Sequence, residues 1–326
     1  MKKILALLLA LWIPAAVLSG CAPQDDSAAS NKLNIVTTIF PAYDWVREIL
    51  GAETDRAEIT TLLDSGVDLH SYQPTVDDIV KISDCDLFLY VGGESDGWVD
   101  DALKNAPNKD RKVIRLLDVL GDSAKAEETV AGMQEEEHDH EEEAEYDEHI
   151  WLSLKNAQVL VAAISEALQE TDPARKDAYA ANAAAYAEKL SALDGEYRAA
   201  VDSGKYKTLL FGDRFPFRYL ADDYGLNYYA AFPGCSAETE ASFETVSFLA
   251  GKMDALGLPC VLTIEGTQHK IAETIVQNTA QKNQQVLTMD SMQAVTANDA
   301  ASGVSYLSIM EKNLSVLKKA LGQEAE

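Results

Sequence analysis

Five histidines occur in the 326 residues. Imidazole is the side chain that most readily carries a proton near neutral pH or ligates a transition metal. His138 and His140 lie inside an acidic run, whereas His70, His149 and His269 stand beside segments patterned like regular structure. A lone loop histidine is ordinarily a solvated surface residue, but the surroundings of His70 and His149 argue for more. His70 sits in Asp68-Leu69-His70-Ser71-Tyr72-Gln73-Pro74, after a strand-like run and a Gly66 turn and before a helix. That is the carboxyl end of a strand, where open α/β sheets hold their ligands. His149 sits in the answering stretch, Asp147-Glu148-His149-Ile150-Trp151-Leu152.

In the second half Asp213, Cys235, Glu265 and Asp290 each fall within a few residues of a predicted strand's carboxyl end. Taken singly, each carboxylate reads as a helix cap or solvated loop residue. If two sheets face each other, these groups and the histidines converge in one cleft. Histidines and carboxylates together suit a borderline divalent cation such as Zn²⁺.

The elements that must position them alternate. Strand-like runs at 33–39, 57–63, 86–91 and 112–116 are separated by helical stretches, and runs at 207–211, 226–231, 260–264 and 285–289 repeat the rhythm. Such alternation argues for parallel sheets covered on both faces, and for an α/β class. An alanine-rich segment between about 172 and 200 predicts a long rigid connector, with Leu190, Leu193 and Tyr197 along one face. Residues 299–321 read as one closing amphipathic helix. The expected organisation is therefore a first lobe over 32–154, connector helices over 155–204 and a second lobe over 205–326. A stretch at 135–148 holds ten acidic residues among fourteen, with no visible period, and is expected to be disordered. It reads either as a solvated spacer or as a weak cation collector.

The apolar fraction of 47% is that of a globular protein, and the formal charge of −27 argues against nucleic acid and anionic lipid as partners. Met1-Lys2-Lys3, the apolar 4–11 and Leu18-Ser19-Gly20-Cys21 read as a bacterial lipoprotein leader over 1–20, with Cys21 lipidated and 21–31 a tether. That places the protein outside the cytoplasm, as a monomer anchored to the bacterial cell membrane. Cys85, Cys235 and Cys260 then remain, an odd number without a full disulfide framework. Cys85 and Cys260 open apolar strands as packing residues, which leaves Cys235 as the cysteine placed to meet a ligand.

Ile35-Val-Thr-Thr-Ile-Phe-Pro41, Gly66 to Pro74, Tyr90-Val-Gly-Gly93 and Asp147 to Ser153 resemble the zinc/manganese-binding solute-binding lipoproteins of ABC importers. The resemblance runs from about residue 33 to 320. It implies two four-stranded parallel α/β lobes joined by one long helix, a metal buried between them, and a membrane permease as recipient. It places His70 and His149 on the family's first two ligand histidines, and the acidic run is similar to the loop of zinc-type members. The family's third histidine is replaced here by Arg214, whose guanidinium has no lone pair to offer a metal.

His269 is the expected substitute. Glu265 and His269 are four residues apart, on one face if the intervening turn is helical, which gives Zn²⁺ three imidazoles and one carboxylate. Asp290 is the rival carboxylate and Cys235 a weaker rival for either place. Imidazoles favour Zn²⁺ over Mn²⁺, which prefers oxygen, so zinc is the expected cargo and manganese the alternative. A surface zinc hydrolase would need an open coordination position and a positioned base, and no His-Glu-x-x-His, Gly-x-Ser-x-Gly or phosphate-binding glycine loop occurs. A passive metal buffer or adhesin would leave the ordered histidines unexplained.

Overall fold

The computed structural model describes residues 32–104, 106–134, 145–236, 240–266 and 269–323. The leader, Cys21 and the tether lie outside the described residues, as does most of the acidic run with His138 and His140.

The first sheet contains β1 (Leu33–Thr37), β2 (Ala57–Thr61), β3 (Leu87–Tyr90) and β4 (Lys112–Arg115), all parallel, in the order β2-β1-β3-β4. The second contains β5 (Thr208–Phe215), β6 (Asn227–Pro233), β7 (Cys260–Thr263) and β8 (Gln285–Thr288), also parallel, in the order β6-β5-β7-β8. The two lobes thus share one strand order, and each holds the four-stranded parallel sheet that the resemblance implies. In each, the connections from the two central strands leave in opposite directions, opening a crevice at the carboxyl edge.

Local chemistry explains the framing helices. Pro41 opens α1 (Phe40–Leu50) and Gly51, at φ +54°, closes it. Thr75 and Asp78 form a reciprocal capping box on α2 (Val76–Asp84). α3 (Val99–Lys104) and α4 (Leu116–Leu120) complete the first lobe, and α5 (Leu154–Thr171) packs along it. α6 (Lys176–Ser203) is the long connector, 28 residues, and buries Tyr179, Ala183, Tyr186, Leu190, Leu193 and Tyr197 at alternating spacings of four and three. Asn182 donates to Ile49 O at 3.0 Å in the first lobe. Further along α6, Tyr197 donates to Met310 O at 2.6 Å in α11 (Tyr306–Ala320). The connector is therefore a strut fixed to both lobes.

Two elements differ from expectation. β5 continues past 211 to Phe215, absorbing an irregularity between Phe211 and Arg214. Gly212 makes this possible, because a Cβ there would lie 2.6 Å from Ala272 Cα in α9 (Lys270–Asn278). The closing segment is two helices, α10 (Ala297–Ala301) and α11, parted at Gly303 (φ +96°) and restarted by the Ser305–Ser308 capping box. The apolar period runs across the break and hides it. α7 (Arg218–Tyr224) and α8 (Phe243–Leu256) cover the second sheet.

One buried apolar cluster runs through both lobes, and a smaller one lies under α8 and α9. At the seam Trp151 donates to Ser291 O (2.8 Å), Tyr306 donates through its hydroxyl to Trp151 O (2.7 Å), and Tyr306 N–H donates to Asp44 (2.8 Å). Tyr306 also meets Trp45 edge-on, with centroids 5.3 Å apart.

Candidate metal centre

His70 rides on a single 3₁₀ turn, Leu69–Ser71, capped by Asp68, whose Oδ1 accepts His70 N–H at 3.0 Å. His149 caps a second such turn, Ile150–Leu152. Asp147 Oδ1 accepts both the backbone N–H and the ring Nδ1–H of His149, each at 2.9 Å. An acceptor at Nδ1 fixes the tautomer and leaves Nε2 with its lone pair. His70 Nδ1 is 2.9 Å from Ser95 Oγ and 3.5 Å from Glu148 Oε2, so its proton also belongs on Nδ1. The two Nε2 atoms consequently face each other at 3.3 Å. At that range a proton on one ring lets it donate to the other, and a metal ion in the proton's place would take both lone pairs.

The burial is severe for such polar sequence: Asp147 is 1% exposed, Glu148 2% and His149 0%. Burying charge without compensation is costly, so these groups titrate abnormally. Burial, then the His149 charge, pushes His70 down to about 3. His70 therefore stays neutral, with its lone pair available. Burial also depresses His149, but the Asp147 charge and hydrogen bond outweigh it and the net direction is up. Burial lifts Glu148 to about 7 against the hydrogen bond from Ser95 N–H (2.8 Å). Glu148 Oε2 is buried without a hydrogen-bond partner. Gly93 makes room for this carboxylate, since a Cβ there would stand 2.0 Å from Glu148 Oε1.

The second lobe closes the site with the loop after β6. Gly234 lets that loop approach: its Cβ would lie 3.3 Å from the His149 ring and 2.9 Å from Phe215 O. Cys235 follows, its N–H donating to Glu127 at 2.8 Å. The donor atoms of His70, His149 and Cys235 all lie within 4.8 Å of one another. His70, Glu148 and Cys235 line a cavity of ≈ 800 Å³ whose walls also include Glu94, Glu127 and Glu145. Glu127 N–H donates to Glu145 O (2.7 Å) and Ala126 bridges Tyr146, so both stems of the acidic run are rooted beside this cavity. Arg214 clips the walls together, donating to Asp68 Oδ2 (2.5 Å) in the first lobe and to Ser236 O (3.2 Å) in the second. Burial raises Asp68, but the Arg214 hydrogen bond and charge prevail and hold its carboxyl below the usual range.

The structure brings His70 and His149 together. It does not gather His269, Glu265 or Asp290 with them among the described residues. Glu265 accepts from Ser291 N–H (2.6 Å), Ser291 Oγ–H (2.7 Å), Gln293 N–H (2.9 Å) and Ala294 N–H (3.3 Å), organising the loop after β8. Asp290 accepts from Met292 N–H at 2.8 Å and is lifted to about 6 by burial and then by Glu265. His269 is the N-cap of α9, with Nδ1 buried and unpartnered. Asp213 itself lies within β5 and accepts from Arg214 N–H (2.9 Å) and Ile264 N–H (3.4 Å).

Ser95 and the buried pair Asp147 and Glu148 are the supporting residues that reading by motif leaves without roles. The two-residue step from Asp147 to His149 is a visible signal, because a carboxylate there reaches its neighbour's ring. Nothing in the sequence marks Ser95.

Paired lobes with imidazoles between them define a two-lobed metal-receptor architecture. The profile of a family described as zinc-uptake complex component A, periplasmic (ZnuA), matches residues 35–320. The zinc-binding lipoprotein AdcA of Streptococcus pneumoniae is 33% identical over 329 positions, covering 99% of this chain and 62% of its own length. The high-affinity zinc uptake system protein ZnuA of Bacillus subtilis is 28% identical over 297 positions, covering 89% of this chain and 88% of its own. The crystal structure of the Zn(II)-bound ZnuA-like domain of S. pneumoniae AdcA superposes with a TM-score of 0.70 at 30% identity, covering 90% of this chain and 100% of that one. The chain belongs to the ZnuA family of periplasmic zinc-uptake components. It spans about 62% of the length of the AdcA relatives it matches.

Proposed function

We propose that the chain is the extracytoplasmic receptor of an ABC importer, a transport component and not an enzyme. It captures one Zn²⁺ between its lobes at His70 and His149 and hands it to a membrane permease. One observation carries this reading. Two nitrogens bound at ~2.05 Å to a tetrahedral zinc stand about 3.35 Å apart. The Nε2 atoms of His70 and His149 stand 3.3 Å apart, with both opposite nitrogens engaged by oxygen. Mn²⁺ would meet a nitrogen-bearing site where it prefers oxygen. The zinc-binding and zinc-uptake relatives, and the zinc-bound structure of one of them, support zinc.

Within this reading Asp290 is the carboxylate the second lobe would offer to the metal. Ligation by Glu265 would break the four hydrogen bonds it accepts from the 291–294 loop, and His269 would have to leave its place at the head of α9. Cys21 serves as the lipid attachment of a monomeric receptor, and the acidic run as a weak collector at the cavity. The test is zinc stoichiometry and affinity after reconstitution and gentle desalting. The parent is expected to hold one zinc tightly, with His70→Ala and His149→Ala losing it. A parent that retains no metal overturns the receptor reading.

A further inference from the structure

Resting on that reading, we propose that Cys235 is the third metal ligand, as a thiolate, and that its sulfur restricts the cargo to borderline and soft divalent ions such as Zn²⁺ and Cd²⁺. The position argues first. A tetrahedral zinc with Zn–N ~2.05 Å and Zn–S ~2.3 Å sets its nitrogen and sulfur about 3.6 Å apart. The Cys235 sulfur and one ring nitrogen of each histidine already lie within 4.8 Å of one another, so the sulfur needs a shift on the order of 1 Å. The other two described cysteines are committed elsewhere. Cys85 is buried with its thiol donating to Ile82 O (3.1 Å), and Cys260 is buried in β7.

The loop around Cys235 is held as a ligand-bearing loop should be. Its own N–H is fixed by Glu127, the preceding Gly234 packs on the His149 ring, and the following Ser236 carbonyl is gripped by Arg214. Arg214 cannot ligate, but it holds the neighbour of a residue that can. Cys235 stands 21 residues after Arg214, on the adjacent strand's loop. Burial and the carboxylates of Asp147, Glu127 and Glu148 keep the metal-free thiol protonated. A bound dication reverses that balance: as the metal–sulfur bond forms, the thiol proton passes to solvent. Thiolate is a soft ligand and selects against oxygen-preferring Mn²⁺.

The experiment uses the mature full chain titrated with Co²⁺ and followed in the ultraviolet. The parent should develop a thiolate-to-cobalt charge-transfer band that saturates at one equivalent. Cys235→Ser should lose the band, and its Cd²⁺ and Zn²⁺ affinities should fall by at least the roughly 10–100-fold that an outer-shell change costs. Cys85→Ser and Cys260→Ser should keep the band, which separates folding damage from ligation. Cys235→His should bind Zn²⁺ without it. One equivalent of Co²⁺ bound by the parent with no such band, or a band surviving in Cys235→Ser, overturns the thiolate while leaving the receptor reading intact. A parent that binds neither Co²⁺ nor Zn²⁺ overturns both.

Discussion

The two walls of the cleft are built differently although their sheets share one strand order. On the first-lobe wall each imidazole has its outer nitrogen engaged, His149 by Asp147 and His70 by Ser95, so each presents a lone pair inward. On the second-lobe wall Glu265, past β7, turns both oxygens onto the 291–294 loop, whereas Asp290, past β8, accepts from Met292 N–H through Oδ1. A place at a strand's carboxyl edge thus puts a residue near the cleft. Its hydrogen bonds then decide whether it has a lone pair left for a ligand.

Removing one imidazole breaks the contrast most severely. His149→Ala leaves buried Asp147 with the backbone N–H of residue 149 but without the ring, a loss of about 1.5–3 kcal/mol for a hydrogen bond to a charged group. Thermal unfolding should fall accordingly, and chelator competition should show the tight zinc gone. Next comes the seam that holds the walls together. Asp44, lifted by burial to about 6 from 3.8, accepts the Tyr306 N–H. The folded state therefore binds this proton more tightly than the unfolded chain. Its stabilising share is complete below pH ~4 and is lost as pH rises through about 6, on the order of 3 kcal/mol. Asp44→Asn should flatten the unfolding free energy over that window, as denaturant titrations at several pH values would reveal. A profile as steep as the parent's would refute this.

Glu265→Gln sharpens the comparison on the other wall. It should cost about 1–3 kcal/mol through the Ser291 amide, which then faces an NH₂ group in place of an acceptor, with zinc stoichiometry unchanged. Loss of zinc with the fold intact would return Glu265 to the ligand set. The smallest effect belongs to Ser95→Ala, expected to weaken zinc by about 10–100-fold through a looser His70 ring while stability barely moves. Competitive titration of both variants side by side would establish the ranking.

Much of this was legible beforehand. The strand rhythm gave both sheets, because fully buried parallel strands leave short apolar runs such as Leu87–Tyr90 between helices. His70 and His149 stood out through Pro74, Gly66 and the Asp147 step. The break at Gly303 was hidden because α10 and α11 keep one apolar period across it. The extension of β5 was hidden because Gly212 and Asp213 look like a turn and are an irregularity inside a strand. The carboxylates were harder still. Glu265, Asp290 and Asp213 have identical sequence credentials, and their roles depend on backbone amides up to 51 residues away. Cys235 was visible as the cysteine placed in a loop, yet its proximity to the imidazoles rests on Gly234 lacking a side chain.

The seam through Trp151, Trp45 and Tyr306 bears on how long cargo stays aboard. Swinging the lobes apart as rigid bodies would wet these aromatics, each burying 150–250 Å², at about 25 cal/mol per Å². Even one uncovered ring costs roughly 4–6 kcal/mol, so a hinged-open form would be populated in fewer than about one molecule in a thousand. The loops that carry His70 and Cys235 need no such rupture to fray, since local openings cost far less than global ones. Residence time is then governed by the lifetime of two short loops, and a docking partner that pries at Asp68 and Ser236 would shorten it without bending the strut between the lobes.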